Sequence, residues 1–235
     1  MKEFSKKIMH FYLLVKFKIK WLPFDTVLFF RSINNPGFFF IQIGSCDGVG
    51  GDPIRRHIIK RHWSGVLVEP VKYLFEKLIE NYKNEKKLIF DNSAISEEKG
   101  VRNFYRLTQS NDSLPAWYDQ LGSFSIDNVL KHKEYIPDIE NRILVEQVPT
   151  ITLAGLIEKY SITKIDLLHI DAEGYDYEIL KQIKFIHIKP RMILFENAHL
   201  IPSDLKASED FLRENGYFII RIEEDTFAFR YRGDR

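Results

Sequence analysis

A short loop rich in glycine follows the first strongly apolar run of the chain, Phe38–Ile43. The loop contains Gly44, Ser45, Asp47 and Gly48, and its glycines allow the backbone to turn tightly and to approach a ligand closely. In an open α/β sheet, ligands bind where the strands end, which is where this loop is expected to lie. The spacing does not match the G-x-G-x-x-G fingerprint of dinucleotide sites, and a nicotinamide or flavin cofactor is therefore disfavoured.

Polar residues also follow the next two apolar runs of the sequence. Glu69 ends the second run, where a carboxylate is well placed to accept hydrogen bonds from both hydroxyls of a ribose. The alternative for Glu69 alone is a solvated strand end. Asn92 and Ser93 follow the third run and are able to meet the edge of a purine. Together, these features indicate an adenosine-containing ligand without a pyrophosphate, a description that S-adenosylmethionine fits.

Seven short apolar runs, alternating with helix-like stretches, must position these residues. The predicted strands are Phe38–Ile43, Val66–Glu69, Lys87–Asp91, Ile165–Ile170, Met192–Phe195, Tyr217–Arg221 and Thr226–Arg230. Runs that are apolar on both faces are typical of parallel strands buried between helices. The sequence therefore predicts an α/β fold, in which the last two strands close the sheet as a terminal pair.

Residues 101–150 do not follow this alternation of strands and helices and are predicted to be an insertion. Val101–Leu107 and Ile143–Val148 resemble extra strands, and the stretch between them is polar and aromatic. Long loops of this kind often serve as lids or substrate-binding elements. An insertion with only a structural role is an equally good interpretation. The aromatic side chains that would stack on a sugar, or pack beneath a lid, are Trp117, Tyr118, Phe124 and Tyr135.

Four segments together carry a resemblance to a known family. They are FIQIGSCDGVGGDP, VLVEP, ITLAGLIEKYSITKIDLLHIDAEGYDYEILK and MILFENAHL. Over residues 38–230 the chain resembles the FkbM family of S-adenosylmethionine-dependent methyltransferases, although it has His169 where lysine is frequent and Asp47 where asparagine is usual. The resemblance implies an α/β, class I (Rossmann-like) methyltransferase fold with a seven-stranded, mostly parallel sheet flanked by helices. It also implies methyl transfer to a hydroxyl, often that of a sugar in a glycan, glycolipid or natural product.

Three carboxylates near the ends of the fourth and fifth predicted strands are the candidate catalytic residues for that chemistry. A neutral hydroxyl is a poor nucleophile, so a nearby group must take its proton. Asp171 is the leading candidate, either for this base or for a group that orients the bound donor. Glu173 either assists or only caps the following helix. Glu196 either binds the acceptor and transfers a proton, or is a hydrogen-bonded strand terminus.

Two further residues carry weaker indications. His199 suits a role at the acceptor and a structural role equally well. Together with Asp171 and Glu196 it is able to hold a divalent ion, since oxygen ligands with an imidazole suit Mg²⁺ or Mn²⁺. No characteristic spacing supports such a site, and no residue is assigned as a metal ligand. Cys46 is interpreted as a small loop residue, because the sequence pairs it with no histidine.

The charge of the chain is divided unevenly. The net charge of +1 comprises +5 over residues 1–20 and −4 over the remainder. The acidic body disfavours nucleic acid as a partner, because phosphate contacts need clustered Lys and Arg. Methylation of an RNA ribose hydroxyl or of a small-molecule amine is the alternative enzymatic function. A non-catalytic, donor-binding protein at a membrane is the alternative from another class.

Residues 1–35 are predicted to form an N-terminal basic, helical segment, and residues 36–235 the methyltransferase domain. An apolar stripe at helical spacing runs through residues 1–22, with most lysines lying off it. Such a helix either packs onto protein or lies on an anionic membrane surface. Its apolar runs are too short to span a bilayer, and no cleavage site follows them. The single cysteine suits a reducing compartment, so we expect a cytoplasmic protein with peripheral membrane contact as an option.

Overall fold

The computed structural model describes residues 23–110, 114–115 and 117–230 of the chain. The strands are β1 (Phe39–Ile43), β2 (Ser64–Val68), β3 (Leu88–Asp91), β4 (Ala94–Ile95), β5 (Gly100–Leu107), β6 (Gly122–Ser123), β7 (Ile143–Ile151), β8 (Leu167–Ile170), β9 (Met192–Glu196), β10 (Phe218–Ile222) and β11 (Asp225–Phe229). The α-helices are α1 (23–32), α2 (Arg55–Arg61), α3 (Lys72–Asn81), α4 (Ile126–Leu130), α5 (Ile139–Arg142), α6 (Leu153–Lys159), α7 (Asp176–Lys181) and α8 (Pro202–Glu214). The predicted amphipathic stripe at residues 1–22 lies outside the described residues, so its role stays a prediction.

The seven predicted strands form one sheet in the order β3-β2-β1-β8-β9-β11-β10. The pairs from β3 to β9 are parallel, and β11 runs antiparallel to both β9 and β10. The prediction of a seven-stranded, mostly parallel α/β sheet is therefore confirmed. The chain leaves β1 for β2 on one side and reaches β8 on the other, which makes the carboxyl ends of β1 and β8 the place where a ligand is expected.

The central strands are almost entirely apolar, with Gln42 and His169 as buried exceptions, because both faces of the sheet are covered. Ile41 and Leu168 belong to one buried cluster, whereas their chain neighbours Phe40 and Leu167 belong to a second cluster on the other side. Successive side chains of a strand point to opposite faces, so each strand contributes to both cores. This double burial explains the absence of a polar alternation in the sequence.

The helices that flank the sheet are short. In the sequence, Asp52 directly precedes Pro53, which favours a helix start, and α2 begins one turn later; Asp52 Oδ1 accepts hydrogen bonds from the backbone N–H groups of Ile54 and Arg55. The helix-like stretches of the sequence at 73–81 and 204–214 correspond to α3 and α8. Within the described part of the chain, every helix falls short of the length and apolar character that crossing a membrane requires.

The insertion forms a second, four-stranded sheet in the order β4-β7-β5-β6. Both extra strands predicted there are present: β5 and β7 pair antiparallel from Gly100 opposite Thr150 to Leu107 opposite Ile143. Beyond this pair the insertion has its own buried cluster, which includes Tyr118. Tyr118 is therefore a packing residue, whereas other aromatic residues of the insertion face the cavity described next.

Candidate active site

A cavity of about 770 Å³ lies at the carboxyl ends of β1, β2, β8 and β9 and is also lined by residues of the insertion. Its volume lies in the range of small-molecule binding sites. Seven of the site residues predicted from sequence line it, namely Gly44, Ser45, Glu69, Ser93, Asp171, Glu173 and Glu196. The parallel sheet thus brings together residues from five separate strand ends, since Ser93 follows β3.

The glycine loop brings the ends of β1 and β8 into contact. Gly44 has a φ of +77°, and a β-carbon there would overlap the carbonyl oxygen of Asp171. Gly48 lies outside the cavity lining and packs against the ring of Tyr82, the residue that directly follows α3. Asp47 accepts hydrogen bonds from the N–H groups of Val49 and Gly50, at 2.9 and 3.1 Å, and so fixes the turn. Gly44 and Ser45 therefore face the cavity, while Asp47 and Gly48 shape the loop from outside.

Glu69 is buried at the end of β2, with 3% of its surface exposed. Its Oε2 accepts a hydrogen bond from the Cys46 N–H at 2.9 Å, and its Oε1 accepts one from the Val71 N–H at 2.8 Å. The first of these bonds ties the carboxylate to the glycine loop. Burial raises the pKa of Glu69 to about 7, against the lowering effect of both N–H donors.

Asn92 and Ser93, the two polar residues that follow β3, lie in different positions relative to the cavity. The Asn92 side chain donates hydrogen bonds to the carbonyl oxygens of Glu69 and Pro70, at 2.8 and 3.0 Å, and lies outside the cavity lining. Ser93 lines the cavity, and its hydroxyl donates to Asp91 Oδ1 at 2.6 Å. Asn92 therefore fixes the loop that carries Glu69, and Ser93 lies at the surface available to a ligand.

A cluster of carboxylates and imidazoles occupies the part of the cavity beyond β8 and β9. His199 Nε2 lies 3.1 Å from Glu173 Oε2 and 3.5 Å from Glu196 Oε1. Glu173 has a φ of +50°, and the Asn128 side chain of α4 donates a hydrogen bond to its carbonyl oxygen at 2.8 Å. The insertion thus holds the loop that carries the acids. Asp171 lines the same cavity directly after β8.

Residues 42–219 match the sequence profile of the methyltransferase FkbM domain. The chain belongs to the FkbM methyltransferase domain family. Among solved structures, it is similar to methyltransferase FkbM from Methylobacillus flagellatus KT, with a TM-score of 0.51 and 11% identity over 83% of this chain. The chain spans 44% of the length of that protein, and at this level of identity the likeness concerns the fold alone.

Two other solved structures are similar to this FkbM-family chain at lower TM-scores. Precorrin-6y C5,15-methyltransferase from Geobacter metallireducens GS-15 has a TM-score of 0.44 and 9% identity, over 87% of this chain and 86% of that one. The fibrillarin pre-rRNA processing protein of Methanococcus jannaschii has a TM-score of 0.42 and 12% identity, over 85% and 68%. None of the curated proteins is similar enough in sequence to count as a relative.

Burial and mutual repulsion keep the acids of this FkbM-family site protonated to unusually high pH. Burial, followed by the charge of Asp52, raises the pKa of Asp171 to about 6. Burial, followed by the Asp171 charge, holds the pKa values of Glu173 and Glu196 well above their usual range. Burial also lowers the pKa of His199 to about 4. At neutral pH the cluster therefore holds an uncharged imidazole beside carboxyl groups that retain protons readily.

Three residues of the cavity or its wall have roles that the sequence did not indicate. His132, in the insertion, lines the cavity with its ring centroid 5.2 Å from that of His199. Asp52, expected only to start a helix, also lines the cavity. Asp176 is fully buried and accepts a hydrogen bond from the Gly174 N–H at 3.3 Å. The acidic residues that follow β8 in the sequence are an indication for Asp176. The sequence gives no such indication for His132, because its position depends on how the insertion folds against the sheet.

Proposed function

We propose that this FkbM-family domain transfers a methyl group from S-adenosylmethionine to a hydroxyl group of a saccharide. The observation that carries the proposal is that Glu69 and Asp171 line one cavity. A carboxylate suited to a ribose and a carboxylate suited to proton transfer thus share one space. Family membership supports methyl transfer, and the lining of the acceptor end favours a sugar.

The donor end of the cavity fits a nucleoside. Each oxygen of Glu69 accepts one backbone N–H, and a carboxylate offers about four acceptor positions in all. One position on each oxygen thus remains for a ribose hydroxyl. Gly44 and Ser45 line the same space after β1. The nearby Asp171, with a pKa of about 6, is mostly ionised at neutral pH and complements the positive charge of a sulfonium.

The donor supplies a methyl group already activated on sulfur: the acceptor oxygen forms the new C–O bond while the C–S electron pair returns to sulfur. The tasks left to the chain are to align the acceptor and to remove its proton. Asp171 takes that proton. With its pKa raised to about 6, the side chain is mostly ionised above neutral pH and still basic enough to accept a proton.

The acceptor end combines exposed aromatic rings with polar groups. Trp117 and Tyr135 line the cavity with 38% and 65% of their surfaces exposed, and Phe124 lines it as well. Such rings stack on the C–H face of a sugar, and His199 and Glu196 supply hydrogen-bond partners for its hydroxyls. Asp171, which is mostly ionised at neutral pH, repels phosphates, so a neutral saccharide is favoured over RNA.

Transfer of isotope-labelled methyl groups from S-adenosylmethionine tests the proposal. Purified full-length protein is incubated separately with glycan, glycolipid and RNA fractions, and Asp171→Asn serves as the inactive control. We expect label in the saccharide-containing fractions only. Label in RNA alone would overturn the acceptor assignment. Donor binding without transfer to any fraction would instead support the non-catalytic alternative.

The proposal extends to the location of the enzyme. We propose a cytoplasmic location, where the lone Cys46 remains reduced; residues 1–22 either pack onto protein or contact an anionic membrane surface. Flotation of the full chain and of a variant lacking residues 1–22 with anionic vesicles tests that contact. Binding of the full chain alone supports it, and equal absence of binding from both contradicts it.

A further inference from the structure

Three side chains from separate parts of the fold converge at the acceptor end of the cavity. His132 comes from the insertion, Glu173 from the loop after β8, and His199 from the loop after β9. One potential ligand atom from each lies within 4.8 Å of the other two. Among the described residues this is the group whose geometry suits a metal ion, and it differs from the set of Asp171, Glu196 and His199 considered from sequence.

Two buried atoms at this place also lack the partners that buried polar atoms normally have. Nε2 of His132 and Oε2 of Glu196 are inaccessible to solvent and make no hydrogen bond within the described residues. Such atoms are rare in folded proteins, and a bound ion is one of the explanations for them. Both belong to residues that line the cavity.

The backbone that presents Glu173 is strained. Its φ of +50° places a non-glycine residue in the left-handed region, and Gly174 follows at +91°. Such a conformation is sparsely populated by non-glycine residues and persists where the surroundings hold it, often at a functional site. The carboxylate presented by this backbone lies 3.1 Å from His199 Nε2 and completes the group of three.

We propose that His132, Glu173 and His199 bind a divalent transition-metal cation, with Glu196 as an additional ligand. Two imidazoles and a carboxylate suit Zn²⁺, Mn²⁺ or Fe²⁺, whereas Mg²⁺ and Ca²⁺ prefer oxygen ligands alone. A cation would also offset the mutual repulsion of the carboxyl groups of Asp171, Glu173 and Glu196, which line the cavity together.

The functional consequence rests on the proposed methyl transfer. A cation in this position binds the acceptor oxygen and lowers the pKa of its hydroxyl, so that Asp171 removes the proton more readily. The insertion then contributes a metal ligand in addition to aromatic surface. Because His132 and the other two ligands come from different segments, the cation also fixes the insertion against the sheet.

Calorimetric titration of chelator-treated, full-length protein with Zn²⁺ and Mn²⁺ tests the site directly, without turnover. We expect one ion per chain, with affinity reduced at least tenfold in His132→Ala, His199→Ala and Glu173→Gln. His187→Ala is the matched control, because His187 is exposed and lies outside the cavity lining. Thermal melting of each variant checks that it remains folded.

Absorption of Co²⁺-substituted protein provides a second measurement, since bands of Co²⁺ bound to nitrogen and oxygen should appear in the parent and vanish in His132→Ala. Absence of binding, or binding unchanged in the double variant of His132 and His199, would overturn the site. Binding at the site with turnover unaffected by chelation would overturn its catalytic role. Metal binding without methyl transfer to any acceptor would instead refute the proposed function alone.

Discussion

The two ends of the cavity are constructed in different ways. The donor end is made of loops that directly follow β1, β2 and β3, and the parallel register of these strands fixes where each loop lies. The acceptor end combines the loops after β8 and β9 with His132 and Trp117 of the insertion. The first arrangement follows from the sheet, whereas the second depends on packing between segments that are distant in sequence.

This difference suits the proposed chemistry. A donor common to many reactions requires a constant site, and the buried Glu69 and the tight contact at Gly44 provide one. Acceptors vary, and the insertion is able to vary with them because its cluster around Tyr118 is separate from the two clusters on the sheet. A fold does not determine its substrate, and here the part that chooses the acceptor is an addition to the fold.

The largest effect is expected for Asp171→Asn, which removes the proposed proton acceptor at the boundary between the two ends. Loss of a general base lowers kcat by about 10²–10⁴-fold, while binding of S-adenosylmethionine should change little. Single-turnover kinetics and calorimetry of the same preparation measure the two quantities. Full activity in a variant that still binds the donor would exclude Asp171 as the base.

The contact between β1 and β8 is tested by Gly44→Ala. The added β-carbon meets the backbone of Asp171, which cannot move as a flexible side chain does, and we expect a loss of about 3 kcal/mol in the free energy of unfolding. Gly51→Ala is the matched control, since Gly51 has a similar φ of +70° but nothing within 4 Å of its β-carbon position. Denaturant unfolding of the two variants should distinguish the effect of the close contact at Gly44 from the effect of backbone strain, which both positions share. Equal losses in the free energy of unfolding would refute the argument from contact.

Glu69→Gln should weaken donor binding about 10–100-fold, because hydrogen bonds to a charged group contribute about 1.5–3 kcal/mol. The exposed Glu76→Gln on α3 provides the control. Calorimetry with S-adenosylmethionine measures the affinity. A melting curve is needed as well. Glu69 accepts a hydrogen bond from a backbone N–H group on each oxygen, and the NH₂ group of the new glutamine places a second donor against one of these N–H groups. Unchanged affinity would contradict the assignment of Glu69 to the ribose.

The pH dependence of kcat/KM should report the raised pKa of Asp171 in the free enzyme. A base is active when deprotonated, so activity should fall about tenfold per unit as pH drops below about 6 and level off above it. The contribution of Glu69 to the stability of the fold changes with pH in the opposite direction from activity. Glu69, with its pKa raised from 4.5 to about 7, stabilises the fold below pH 4.5, and this contribution is lost as pH rises through 7. Activity that stays constant from pH 7 to pH 5 would contradict the role given to Asp171.

Much of the sheet and of the donor end could be predicted from sequence, for a physical reason. Strands buried on both faces are almost entirely apolar, and residues such as Glu69 that follow them must lie at one edge. His132 could not be predicted, because no periodic pattern fixes a residue within the insertion. Tyr118 and Trp117 are adjacent in the chain, yet one packs in the core of the insertion and the other lines the cavity.

The smallest effect is expected for Trp117→Ala, which tests whether the insertion contacts the acceptor. Trp117 lies 5.0 Å from the His132 ring and lines the cavity while remaining partly exposed. Loss of one stacking surface, worth about 1 kcal/mol, should raise the KM for the saccharide about fivefold and leave donor affinity unchanged. Phe218→Ala, which removes an exposed ring from β10, is the control. A change confined to donor affinity would mean that the insertion serves the donor end, and the division between the two ends would then fail.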